Sequence, residues 1–336
     1  MLGTLRLCFA LLVALSHIGV DVFGLNPGVP AVTGFYLISG YVMTGLIRSH
    51  YATVSRAWRF YADRVMRLVP HYLVIAAIAL VWFLVANTYT LYLATSPTPA
   101  RILQNVLIVP MNYYMFNHSD QFALIPPSWS LGAEMQFYLI APLLLLPFKT
   151  RLRLVALAGS LLVYAVASFG FINSDWYGYR LLPGVLFMFV LGSIFHDLHQ
   201  KRSGASLAWL LVIATGVLTA VFALVLVRFG KLQLNYDRET LIGLAIGSLA
   251  VNILAPRARN RFDDMLGNLS YGVFLNQFLV QWVFFDGEVR GVASTIGYLA
   301  ISIVIAAIMF KIVEKPVLDL RRRFRADRQS DSPAGP

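Results

Sequence analysis

Arg6 and His17 lie eleven residues apart in the first apolar stretch of the chain, residues 2–24. At about 100° per residue this spacing puts both on one face of a helix. At about 1.5 Å rise they stand about 16 Å apart along its axis, on the order of half a bilayer core. An arginine inside a membrane helix costs roughly 2.5–3.5 kcal/mol and is tolerated where a partner, cavity or ligand offsets it. The shared face is therefore expected to line a polar pathway. Asp21 follows His17 by four residues, within i,i+4 reach on a continuing helix. An imidazole beside a carboxylate is a general-base arrangement, because the carboxylate fixes the tautomer and stabilises the imidazolium that forms. Neither HxxxH nor HExxH spacing surrounds His17, so no metal site is expected.

A second acid, Glu134, follows Pro126-Pro127-Ser128-Trp129 by one to two turns, with Ser130 and Tyr138 four residues to either side on the same face. An intramembrane acid is a functional candidate by default, and its plainer role is pairing with a neighbouring span. Arg64 and Arg67 are i,i+3 neighbours if their segment is helical, and two guanidinium groups on one face can grip a phosphate. The plainer role for that segment is contact with lipid headgroups. Residues 96–128 form a long connection carrying Asn105, Asn112, Tyr113, Tyr114, Asn117 and His118. It reads as a re-entrant or interfacial helix whose aromatic faces and amides suit a sugar; an interfacial belt is the alternative.

The elements that must position these groups are membrane helices. Hydrophobic residues make up 58% of the chain and charged residues 13%, and mean hydropathy is +0.70, which excludes an ordinary soluble protein. Long continuous apolar runs favour an all-α bundle over a barrel. Ten spans are expected, near residues 2–24, 29–47, 69–93, 129–148, 154–171, 181–197, 207–229, 240–255, 266–285 and 292–313. Nineteen of the 27 Lys and Arg fall in loops after the even-numbered spans or in the C-terminal tail, which places those loops and both termini in the cytoplasm. The net charge of +11 is thus a topology signal that calls for no nucleic acid. Residues 2–24 lack a small-x-small cleavage site and carry Arg6 and His17, so they are expected to be a span rather than a signal peptide. Residues 1–315 read as one transmembrane domain and 316–336 as a short basic tail, expected to be disordered. The single cysteine, Cys8, provides no disulfide framework.

Taken in order, the motifs resemble those of the membrane-bound acyltransferases of family 3. Arg6-x10-His17 is similar to the family's first-span motif, and Gly34-Phe35-Tyr36-Leu37-Ile38-Ser39-Gly40-Tyr41 to its second-span segment. Arg64-x-x-Arg67-x-x-Pro70 and Trp129-Ser130-Leu131-x-x-Glu134 follow. Gly267 to Leu275, containing Ser270-Tyr271-Gly272, and Glu314-Lys315-Pro316 close the series. One position departs: the family commonly has a histidine where this chain has Gln277, which hydrogen-bonds but cannot act as a base.

The resemblance implies transfer of an acyl group, by default acetyl, from acyl-CoA to a hydroxyl of an envelope or exported glycan or a lipid-linked sugar, in a bacterial inner membrane. It gives Arg6, Arg64 and Arg67 the role of holding acyl-CoA, His17 that of general base or acyl-imidazole carrier, and Glu134 that of orienting His17 or the acceptor. Asp21, Ser39, Ser130, Tyr138, Tyr271 and Gln277 are expected to position the acceptor or stabilise the oxyanion. Acyl-CoA is a co-substrate and no cofactor is bound permanently; polysaccharide-assembly proteins of the envelope are candidate partners. A glycan transporter or flippase is the competing reading, disfavoured because the two halves show no inverted repeat.

Overall fold

The computed structural model describes residues 1–146, 149–200, 204–258 and 260–326. Among them the regular structure is helical. The helices are α1 (Leu2–His17), α2 (Gly28–His50), α3 (Ala57–Ala86), α4 (Pro99–Leu107), α5 (Tyr114–Asn117), α6 (Ser128–Leu144) and α7 (Thr150–Ser168). They continue with α8 (Leu182–Gln200), α9 (Gly204–Arg228), α10 (Asp237–Leu254), α11 (Arg261–Phe285), α12 (Val292–Met309) and α13 (Lys315–Ala326). Single π-helical turns precede α8 and follow α12.

Among the described residues six stretches are long and apolar enough to cross a membrane: Gly28–His50, Val54–Ala86, Thr150–Ser168, Trp176–Gln200, Gly204–Arg228 and Val292–Leu320. The other four expected spans coincide with α1, α6, α10 and α11 but fall below that standard. α1 has 16 residues and α6 has 17, while α10 and α11 carry acids in their first turns. Such helices pack inside the bundle, where neighbours rather than lipid meet their polar groups. The outer helix α9 is its opposite, with Leu210, Leu218 and Leu224 at least 60% exposed and suited to lipid contact.

Three boundaries differ from expectation. α1 stops at His17 rather than running to Gly24, because Gly19 takes φ +79° and a tight turn bridges Val22 and Leu25. α3 begins at Ala57, so the segment with Arg64 and Arg67, expected as a loop with a conditional helix, is the helix's own start. The expected disordered tail continues as α13 through Ala326; residues 327–336 lie outside the described residues.

α2 is the central strut, packing against α1, α8 and α10. The α2/α8 approach is close enough to require glycine. A Cβ on Gly40 would sit 1.8 Å from the Phe189 carbonyl oxygen, and one on Gly192 2.0 Å from that of Leu37. With little hydrophobic drive between helices in lipid, such close backbone contact is what holds them. α1 is clamped to α11 in the same way at Gly3. Asp263 of α11 then caps α1, accepting from the Gly3 and Thr4 amides and the Thr4 hydroxyl at 3.1, 2.8 and 2.8 Å. A carboxylate at a helix N-terminus meets its unpaired N–H groups and its dipole, and here it sets the height of Arg6.

Candidate functional site

A cavity of about 720 Å3 opens at the end of the bundle where α1 begins and α2 ends, the end richest in basic loops. Its size falls in the roughly 300–1,000 Å3 range of small-molecule sites. Its walls bring together Arg6, Ser39, Arg64, Arg67, Ser130, Glu134, Tyr138 and Tyr271 from five helices. His17, Asp21 and Gln277 are not among its lining residues. The expected set is therefore split between a cavity at the basic end and a histidine at the far end of α1.

Glu134 organises the cavity's middle. Its Oε1 accepts hydrogen bonds from the Ser39 hydroxyl and the Tyr138 phenol, each at 2.6 Å. Ser130 donates to the Pro127 carbonyl at 3.0 Å, and Tyr271 to that of Leu68 at 2.9 Å. A hydroxyl has one proton to give, and all four are committed to internal acceptors. Donation to a developing oxyanion would therefore require these hydroxyls to leave their present acceptors. Nor does Glu134 orient His17 directly: its hydrogen-bond partners among the described residues are on α2 and its own helix.

The arginines of α3 are also partnered. Arg64 is 8% exposed and reaches Asp63 through Nε and Nη2 at 3.1 and 2.5 Å, with its guanidinium 6.0 Å from the Tyr138 ring centre. Arg67 pairs with Glu314, which also binds His71 Nδ1 at 2.6 Å. In the sequence Glu314 stands out only as a motif position. The signal that could have found it is an acid ending an apolar run, where burial obliges it to find a cation.

His17 is held from α11. Its Nδ1 lies 2.9 Å from Gln277 Oε1, while Gln277 Nε2 donates to the Phe274 carbonyl at 2.8 Å. That second bond turns the amide so that its oxygen faces the imidazole. The network thus assigns the proton to Nδ1 and leaves Nε2 as the basic nitrogen, with no partner among the described residues. The ring rests on Phe278, centroids 4.8 Å apart. Asp21 does not take this place. The helix ends at His17 and Asp21 is exposed in the turn beyond, so Gln277 fixes the tautomer in its stead.

Arg180, read from sequence only as a loop residue on the sparsely charged side, is the charged residue at this end whose surroundings the sequence did not disclose. Its Nε donates to Asp175 at 2.6 Å, and its guanidinium lies 4.5 Å from the Trp129 ring centre. Beside it, burial pushes the Tyr114 phenol up to about 12, against the pull of the Arg180 charge, so Tyr114 stays a neutral donor at neutral pH. The amides expected to read a sugar are instead internal braces. Asn105 donates to the Arg101 and Phe122 carbonyls, Asn112 to those of Trp129 and Arg180, and Asn117 to that of Pro110.

A family model described as an acyltransferase domain matches residues 2–311. The chain is similar to an uncharacterized protein of Aquifex aeolicus, 34% identical over 203 residues, 59% of this chain and 89% of that protein. It is 29% identical over 168 residues to the O-acetyltransferase OatA of Staphylococcus aureus, covering 47% of this chain and 27% of OatA. It is also 28% identical over 349 residues to nodulation protein 10 of Rhizobium leguminosarum bv. viciae, 93% of this chain and 88% of that protein. The chain thus spans about a quarter of OatA but most of the other two. No solved structure matches it.

Proposed function

The chain belongs to the family-3 acyltransferases, and from that premise we propose that it is an integral membrane O-acyltransferase moving an acyl group, acetyl by default, from acyl-CoA to a glycan hydroxyl. The membrane is a bacterial cytoplasmic membrane, with the basic end in the cytoplasm. The observation that carries the reading is the His17–Gln277–Phe274 chain, which leaves one imidazole nitrogen basic and, among the described residues, unpartnered at the end of α1 opposite the cavity mouth. The similarity to an O-acetyltransferase over nearly half the chain supports the reaction type.

In this scheme acyl-CoA enters at the basic end, where Arg6, Arg64 and Arg67 on the cavity wall meet its phosphates. Because Arg64 and Arg67 keep carboxylate partners, their pairing with phosphate is a sharing of guanidinium edges rather than capture by free cations. The flexible pantetheine arm then passes Glu134 and its ordered hydroxyls. Along α1 the distance from Arg6 to His17 is about 16 Å. At the far end His17 Nε2 takes the proton of the acceptor hydroxyl as its oxygen attacks the thioester carbonyl; the C–S bond breaks, and the imidazolium returns the proton to the CoA thiolate. Gln277 holds Nδ1–H in place through both proton transfers.

Purified protein in liposomes tests the reading. With acetyl-CoA and an envelope glycan extract, thiol release is expected to depend on the glycan and to fall to background in the His17→Ala variant. Glycan-independent release, or full release from that variant at equal folded protein, overturns it.

A further inference from the structure

The cavity, its arginines and His17 leave one charged cluster unused, the surroundings of Arg180 at the far end of the bundle. Four aromatic rings enclose its guanidinium, Trp129 at 4.5 Å, Tyr179 at 5.3 Å, Tyr114 at 5.5 Å and Tyr236 at 5.6 Å to the ring centres. They come from four separate segments, the connection before α6, the start of α6, the π turn before α8 and the residue preceding α10. The box is therefore built by the tertiary fold. Asp175 takes only Nε of the guanidinium, and no hydrogen bond from either Nη occurs among the described residues. Its side chain is 14% exposed, so the unused fork is neither fully buried nor freely solvated. The hydroxyls of Tyr114, Tyr179 and Tyr236 likewise have no hydrogen-bond partner among the described residues.

A purely structural ion pair would spend its fork on protein acceptors, since a guanidinium offers five donors in fixed geometry and Asp175 uses one. Aromatic faces stack on the C–H faces of pyranose rings, phenols hydrogen-bond sugar hydroxyls, and a two-pronged guanidinium edge fits a carboxylate or phosphate. The start of α1 and the end of α8 both line the cavity, so His17, which ends α1, and Arg180, just before α8, share the opposite end of the bundle. Tyr36, on the cavity wall, carries a buried hydroxyl with no hydrogen-bond partner among the described residues.

We propose that the box around Arg180 is the acceptor subsite and that it selects an anionic sugar, whose carboxylate or phosphate binds the free Nη edge while its ring stacks on Trp129 or the tyrosines. The inference rests on the acyltransferase reading for its biological sense, but the binding it asserts needs no acyl donor, so the two can fail separately. An acidic sugar supplies the anion from the glycan itself; a sugar phosphate supplies it from the linkage to a lipid carrier.

The test is equilibrium binding to purified protein in nanodiscs without acyl-CoA, followed by tryptophan fluorescence and by calorimetry. The probes are methyl β-glucuronide, glucose 1-phosphate and neutral methyl β-glucoside. At least one charged probe is expected to bind ten-fold or more tighter than the neutral one, and which of the two does so names the source of the anion. Arg180→Gln is expected to bring the charged-to-neutral ratio to about one. Asp175→Asn, which keeps the cation and removes its competing carboxylate, is expected to tighten the charged probe several-fold and serves where Arg180→Gln fails to fold. A wild-type ratio near one, a ratio unchanged by Arg180→Gln, or no tightening in Asp175→Asn overturns the proposal.

Discussion

Replacing Gln277 by leucine removes the acceptor that His17 Nδ1 has among the described residues, while preserving side-chain bulk in a position with 0% exposure. The Nδ1–Oε1 bond at 2.9 Å joins two neutral groups, and such a bond is worth about 1 kcal/mol net. That biases the imidazole about five-fold toward the tautomer with basic Nε2, since about 1.4 kcal/mol is a factor of ten. The loss of competent tautomer is at most about five-fold, and releasing the ring from its fixed orientation adds a second loss, so kcat is expected to fall several-fold, up to about 25-fold. KM for acyl-CoA stays put, because Gln277 is not in the wall of the donor cavity. Gln277→Glu keeps an acceptor facing Nδ1 and is expected to retain most of the activity. The assay is initial-rate acetyl transfer in liposomes, normalised to folded protein by size-exclusion monodispersity. An unchanged kcat in Gln277→Leu, or equal losses in the Leu and Glu variants, refutes the role given to this residue.

Glu134→Gln retains an oxygen able to accept from Ser39 and Tyr138, so melting temperature in detergent should change little while transfer falls at least ten-fold; a parallel loss of both shows a purely structural acid. Arg67→Ala leaves Glu314, with a side chain 3% exposed, facing only His71. Breaking a buried pair on one side costs about 3–5 kcal/mol, so a marked drop in thermal stability is expected, and an unchanged melting curve contradicts the pairing. Arg64→Lys keeps the charge but loses the two-pronged contact to Asp63; KM for acetyl-CoA should rise several-fold with kcat nearly constant. Gly40→Val drives side-chain atoms into the Phe189 carbonyl of α8, and almost no monodisperse protein is expected after extraction.

The fold was legible in sequence because lipid imposes a simple code: long apolar runs separated by basic loops. Each of the ten expected spans corresponds to a helix, although among the described residues six stretches are long and apolar enough to cross a membrane on their own. Boundaries were less legible where apolarity and helicity part company. Residues 18–24 are apolar, yet Gly19 turns the chain; residues 57–68 are charged, yet helical. For the site, residue types were readable and partners were not. The sequence spacing offered His17 a carboxylate at Asp21, but the end of α1 withdraws it and a residue 260 positions away, Gln277, supplies the contact. Arg180 escaped notice because its significance lies in four rings from four segments, a juxtaposition that no local pattern encodes.

The central claim is that His17 transfers the acceptor's proton during acyl transfer from CoA. Membranes containing either the wild-type protein or the His17→Ala variant, given radiolabelled acetyl-CoA, test it most directly when label in extracted glycan is counted. The account predicts label in the wild-type glycan and only background with His17→Ala at equal inserted protein. Equal labelling in the two would contradict it and move the base to another residue.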